Sequence, residues 1–349
     1  MSAISRFLPW QEDLARSWLG QRERFAHAWL IHGVSGIGKR QFALAAAASL
    51  LCEAPVQGLA CGQCAACHWL AANNHPDLRR IRPDAIAQDE GAEAVAQEDA
   101  MAPTAKKTPS KEIRVDQLRA LSSWFNTATH RGGWRVAVLY PAHALNSISA
   151  NALLKVLEEP PEHTVFLLVA EAPDRLLPTL VSRCRRLPLA SPPARVCVEW
   201  LQGQGLDAPE SWLAAAGGAP LSALQLAQSG AAACPDWLCQ LVDPLARAQS
   251  PEIGNLADGL EKELPSVWID TLQRLFVDLL LAASGAPIRY FPSIGEKIRA
   301  AAARASLANL SDTGKWLGQQ RAVADHPLNA KLLVHSVLQR VALACLPAR

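Results

Sequence analysis

Two short stretches of the chain carry residues whose types and spacing suit chemistry. The first is GVSGIGKR, residues 33–40, in which Gly33, Gly36, Gly38 and Lys39 stand where a phosphate-binding loop of the form GxxxxGK[ST] places its glycines and lysine. Such a loop cradles phosphates with backbone N–H groups, meets the β and γ oxygens with its lysine and holds magnesium with its hydroxyl. Position 40 is arginine, which offers a cation no oxygen and adds positive charge beside the place of the metal. The second stretch is CEAPVQGLACGQCAAC, residues 52–67, where Cys52, Cys61, Cys64 and Cys67 include two CxxC steps sharing Cys64. Zinc takes four soft ligands in a tetrahedron, and a CxxC turn lets two thiolates face one ion. A centre closed by four protein ligands is structural rather than catalytic.

Each stretch has competing readings. The cysteines could be four unliganded thiols, although exposed thiols clustered so tightly would be an oxidation liability. CAACH, residues 64–68, also matches the c-type haem attachment pattern, but haem leaves Cys52 and Cys61 unexplained and requires an export signal. His68 or His75 could replace one thiolate; each reads more simply as a polar surface or turn residue. Residues 33–40 could be a glycine-rich turn from strand to helix that never met ATP.

The elements that must position these residues follow from hydropathy. HAWLIHG, residues 27–33, reads as a buried strand entering a tight turn, and QFALAAAASLLC after Arg40 is rich in helix formers. WRVAVLY, 134–140, and TVFLLVA, 164–170, have the length and composition of buried parallel strands. Between them NSISANALLKVLEEPP carries Leu153, Leu154 and Leu157 at helical spacing and stops at Pro160. Strands alternating with helices predict an α/β P-loop domain, a parallel sheet with helices on both faces. Residues 84–112 place six acids before any base and few large apolar groups, so they read as a mobile surface insertion, with a short exposed helix around Glu90 to Asp99 as the alternative. Beyond about Pro188 the pattern is alanine- and leucine-rich and helical. The expected domains are 1–187 with the zinc module near 52–67, a small helical lid over 188–231, and an all-α region over 232–349 with Trp237, Leu238, Trp268, Leu272, Leu275 and Phe276 as core candidates.

Composition narrows the function classes. The 349-residue chain is half hydrophobic, enough for two or three packed domains. A formal net charge of +2 gives no global pull toward nucleic acid or membrane. Glu12 and Asp13 fall where the apolar region of a secretory signal would lie, and the apolar run Phe42 to Cys52 is too short to span a bilayer. The expectation is a cytoplasmic protein without membrane partners, whose nine cysteines are free thiols or metal ligands.

HAWLIHGVSGIGKR, CGQCAAC, NHPDL, ANALLKVLEEPPEHTVFLLVA and TLVSRC occur in an order and spacing that resembles the AAA+ subunits of the bacterial clamp loader, over about residues 7–187. The C-terminal part is similar only in length and helical character. In the motor subunits of that family an Asp-Glu pair follows the second strand motif; here Tyr140 and Pro141 follow it. The family's sensor threonine corresponds to Ala170 or Glu171, and GAPLSAL, 218–224, puts Leu221 where a sensor arginine stands. The resemblance therefore implies a non-hydrolysing stator that binds no ATP of its own. It also implies that Arg183, in the SRC triplet Ser182, Arg183 and Cys184, reaches the nucleotide of a neighbouring subunit as an arginine finger; the alternative reading of Arg183 is a structural ion pair at a strand end. The implied partners are motor ATPase subunits and a clamp-opening subunit in a hetero-pentameric ring, with the sliding clamp and primed DNA reached through that complex and residues 232–349 forming its collar. The rival readings are an active ATP-hydrolysing motor, opposed by Arg40, Tyr140, Pro141 and Leu221, and a zinc-stabilised DNA-binding module, opposed by the lack of a dense basic stripe.

Overall fold

A computed structural model describes residues 4–21, 25–91, 109–125, 127–130, 133–324 and 330–346. The chain divides into two compact units, Met1–Val196 and Cys197–Arg349.

The first unit is built on parallel strands β1 (Ala28–His32), β2 (Leu78–Ile81), β3 (Arg135–Leu139), β4 (Thr164–Ala170) and β5 (Arg185–Pro188), in the order β2-β3-β4-β1-β5. Successive side chains of a strand point to opposite faces, and here the alternation divides two cores. Trp29, Ile31, Val136, Val138, Val165, Leu167 and Val169 enter one core; Ala28, Leu30, Ala137, Leu139, Phe166, Leu168 and Ala170 enter the other. The first core is covered by α1 (Glu12–Leu19) and α2 (Lys39–Leu51), which contribute Trp18 and the fully buried Phe42. The edge strands β2 and β5, reading LRRI and RRLP, were not expected as strands, since their arginines hide them from a hydropathy reading. Charge on an edge strand discourages pairing with another chain.

Between β1 and β3 the chain forms α3 (Ala65–Ala71), α4 (Asp84–Asp89) and α5 (Val115–Phe125). The expectation that 84–112 is a mobile insertion is corrected at its start. Residues 84–89 are the helix α4, and Glu90 after it is held by three side chains; Ile113, just past the far end, is fully buried. Residues 92–108, and with them most of the alternative helix at 90–99, lie outside the described residues. α6 (Ser147–Glu158) starts where Asn146 accepts a hydrogen bond from Ser149 N at 2.9 Å, an N-cap satisfying one of the free amides of the first turn. α7 (Pro178–Ser182) ends at Arg183, and α5, α6 and α7 line the second core.

The second unit is all helical among its described residues. α8 (Ala194–Gly203), α9 (Pro209–Ala215) and α10 (Pro220–Gln228) enclose a small cluster of Cys197, Leu201, Leu213 and Ala223. α11 (Asp236–Ala246), α12 (Ile253–Leu260), α13 (Pro265–Ala283), α14 (Gly295–Ala302), α15 (Leu307–Val323) and α16 (Ala330–Cys345) form a larger bundle. Leu238, Trp268, Leu272, Leu275 and Phe276 are buried in it and Trp237 packs half-buried against it. The contact boundary thus falls at Val196, not after residue 187, and the three short helices group with the bundle. They are tied to it by Arg274 Nη1 donating to Ala215 O at 3.0 Å and Arg289 Nη2 donating to Gly217 O at 3.1 Å. Fully buried Asp278 accepts hydrogen bonds from the backbone N–H groups of Arg289, Tyr290 and Phe291 at 2.8–3.0 Å. No described helix is long and apolar enough to cross a membrane.

Candidate functional site

The loop 33–38 leaves the carboxyl end of β1 and delivers Lys39 to the first turn of α2, the place where open α/β sheets bind ligands. Its backbone demands glycine at two points. A Cβ on Gly33 would lie 2.5 Å from Leu189 O, and Gly38 caps α2 with φ of 89°. The expected turn is present, but it is occupied from within. Lys39 Nζ donates to Val34 O at 2.6 Å, so the lysine closes the loop on itself. Burial lowers the pKa of Lys39, an effect partly offset by the Glu171 carboxylate. From the N-terminal segment, Gln11 Nε2 donates to Ile37 O and Gly38 O, and Trp10 Nε1 to Ile37 O, each at 3.0 Å.

Where a motor would place its metal, the polarity is reversed. Tyr140 follows β3 directly and is 2% exposed; burial, the main cause, pushes its phenol up to about 12, so it carries its proton. Its hydroxyl lies 2.9 and 3.0 Å from the two Glu90 carboxylate oxygens and donates to them. Arg40 Nη1 bonds Glu90 Oε1 at 3.0 Å and its guanidinium lies 5.9 Å from the centre of the Tyr140 ring. Arg82 Nε approaches Glu90 Oε2 to 2.9 Å, an ion pair whose N–H is not aligned as a hydrogen bond. Neither Glu90 nor Arg82, nor the clamp from Trp10 and Gln11, was singled out from sequence. Glu90 meets Arg40 and Tyr140 across fifty residues and the clamp spans 26 to 27, while the Arg82 pair, eight residues apart, lies within no single helix or strand.

The four cysteines converge. Cys52 closes α2, Cys64 caps α3 and Cys67 sits in its first turn, with Cys61 between. Cys52 Sγ is 3.8 Å from Cys64 Sγ and 3.7 Å from Cys67 Sγ, and Cys61 Sγ is 3.9 Å from Cys67 Sγ. A tetrahedron with Zn–S bonds of about 2.3 Å has edges of about 3.8 Å, so the donor set fits zinc. Backbone N–H groups of Gln63 and Cys64, both at 3.4 Å from Cys61 Sγ, lower that thiol to about 6, whereas burial raises Cys52 and Cys67. His68 is exposed and outside the cluster. His75, read as a surface or turn residue, is indeed in a turn but buried, its Nδ1 accepting from Asp77 N at 3.1 Å.

Arg183 lies apart from both sites. Its Nη1 donates to Thr179 O at 3.0 Å and its Nη2 pairs with Glu158 of α6.

The family model for "DNA polymerase III, delta subunit" matches residues 12–193, just over half of the chain. The chain belongs to this family. Within it, the protein from Pseudomonas aeruginosa named DNA polymerase III subunit delta' is 42% identical over 226 residues, 64% of this chain and 62% of that protein. The Escherichia coli subunit delta' is 33% identical over 291 residues, covering 80% of this chain and 78% of its own length. A more distant similarity, 33% over 161 residues, links the chain to the E. coli DNA polymerase III subunit tau. A solved gamma subunit-related protein from Thermotoga maritima superposes on 96% of the chain at 15% identity with a TM-score of 0.48, too loose to carry an argument.

Proposed function

We propose that this chain is the delta-prime stator of the DNA polymerase III clamp loader: a subunit that hydrolyses no ATP and supports loading of the sliding clamp on primed DNA. One observation carries the reading. The residues at the metal positions of the loop and of β3 are Arg40 and Tyr140, and they hold the Glu90 carboxylate. A hydrolysing site needs oxygen ligands for magnesium at those positions and a residue to orient water. Cation and phenol supply neither.

Arg183 then serves a neighbour. A guanidinium aimed at a γ-phosphate stabilises charge that grows in the transition state, worth ~10³ to 10⁵ in rate for arginine fingers elsewhere. To reach out it must release Glu158, a partly exposed carboxylate whose pairing is worth only about 1 kcal/mol or less. The four cysteines would hold zinc, which when bound supplies a tetrahedral cross-link and no reactivity. The helical second unit, residues 232–349 above all, is the proposed collar.

The deciding experiment mixes this chain with motor and clamp-opening subunits and compares ATP turnover and clamp loading with and without it. The expected result is no turnover by the chain alone and a gain by the complex. Magnesium-dependent hydrolysis by the purified chain, lost in Lys39→Ala, would identify a motor instead.

A further inference from the structure

The polar cluster beside the loop has its charges inverted relative to a working nucleotide site. There, a hydroxyl after the lysine and acids after β3 surround a divalent cation and, through it, the phosphates. Here the same two positions carry a guanidinium and a protonated phenol, and both turn to one carboxylate. Arg82 adds a second guanidinium from the strand β2 side, and the Glu90 side chain is only 17% exposed. Two arginines against one carboxylate leave a surplus positive charge, and Lys39, the residue before Arg40, is bonded to a neutral carbonyl. Such a constellation of donors is an anion seat.

We infer that Glu90 is an internal ligand of this seat, taking the place of a phosphate, and that it keeps the chain free of nucleotide. The inference rests on the proposed function, in which the pocket does no hydrolysis, and adds the device that keeps it empty of nucleotide. Glycine-rich loop and lysine both survive, so loss of the metal ligands explains lost hydrolysis but not lost binding. Backbone amides and lysine alone can still attract a polyphosphate. An intramolecular carboxylate held by Tyr140, Arg40 and Arg82 competes with it at every moment. If the seat is vacant about 1% of the time, the apparent affinity for an incoming anion falls about 100-fold. The ligand class admitted on removal of Glu90 is a polyphosphate, as in a nucleoside triphosphate.

Calorimetric titration of the intact, zinc-loaded chain with ATP and with inorganic pyrophosphate, both without magnesium, tests this in wild type, Glu90→Gln, Glu90→Ala and Glu90→Ala with Lys39→Ala. Glu90→Ala should bind at least about tenfold more tightly than wild type, approaching the factor above. Adding Lys39→Ala should abolish the gain. Glu90→Gln keeps an acceptor for Tyr140 but not the charge, so it stays folded where alanine fails and still shows a gain. The pyrophosphate arm separates recognition of the phosphate chain from recognition of the base; a gain in either arm supports the seat. Circular dichroism confirms that each variant is folded. Folded Glu90 variants that bind no better than wild type, or a wild type that already binds as tightly, overturn the inference. Hydrolysis by the wild-type chain would instead overturn the proposed function, so the two failures are distinguishable.

Discussion

Substituting Cys67 by serine should loosen one segment of the first unit and leave its sheet untouched. Residues 53–57 are exposed and the backbone bonds of this segment include a pair between Val56 and Leu59 and Ala60 N donating to Ser49 Oγ at 3.1 Å, beside those that Cys61 N and Gln63 N give to the cysteine sulfurs. A metal joining Cys52 to Cys67 closes a loop of about fifteen residues, and cross-linking such a loop removes about 3 kcal/mol of chain entropy from the open state. Losing that closure raises the open population about 100-fold, since each 1.4 kcal/mol is a factor of ten. Hydrogen exchange read residue by residue, with zinc measured on the same sample, makes the comparison. Amides of Val56, Leu59 and Ala60 should exchange about 100-fold faster in Cys67→Ser, while Val138 and Leu168, fully buried in central strands, keep their protection. Wild-type protein should carry about one zinc per chain. A serine variant that retains a full zinc and unchanged exchange at 56–60 would show that the metal reasoning is wrong, as would wild-type protein that is folded and metal-free.

Other perturbations reach the remaining parts of the argument. Arg183→Ala should leave ring assembly intact and slow ATP turnover of the assembled loader, while Glu158→Gln, which only frees the guanidinium, should not slow it; equal turnover in wild type and Arg183→Ala removes the finger. Tyr140→Phe deletes the buried donor to Glu90 and should cost about 2 kcal/mol, lowering the melting of the first unit by about 4–8 °C in calorimetry; no change would mean that the arginines alone satisfy the carboxylate. Asp278→Ala strands three backbone amides in the second unit, at about 1–3 kcal/mol for each group left unpaired, and should shift urea denaturation of that unit strongly while leaving zinc content unchanged. A neutral Asp278→Ala would mean that water replaces the carboxylate.

What could be read from sequence was what repeats or clusters locally. The buried strands β1, β3 and β4 announce themselves because both faces of a parallel sheet are covered, so apolar residues run unbroken between a polar residue at one end and the next turn. The cysteine centre is legible because all four thiols lie within sixteen residues. The helix α6 is legible from its cap and its closing prolines. Glu90 was misread for the opposite reason: averaged over an acid-rich stretch it looks solvated, and its partners Arg40 and Tyr140 stand fifty residues before and after it. Gln11, bonded to Ile37 and Gly38 across 26 and 27 residues, belongs to the same class. β2 and β5 escaped because a strand at the rim of a sheet buries little and tolerates arginine. Fading strand signal marks the end of the sheet, whereas contact between helices decides which unit a segment joins, and that is not written locally in the sequence.

The buried carboxylate of Asp278 has a mechanical meaning. By gripping the backbone at 289–291, it fixes the root of the Arg289 side chain, which grips Gly217 O, and sets Tyr290 so close to Gly217 that a Cβ there would lie 2.9 Å from its ring. The short helices α9 and α10 are thus clasped to the large bundle at Gly217, beside the separate bond from Arg274 to Ala215 O. One carboxylate on α13 therefore governs a contact more than sixty residues away in the chain, and its loss would leave the Arg274 bond to hold the short helices alone at that edge.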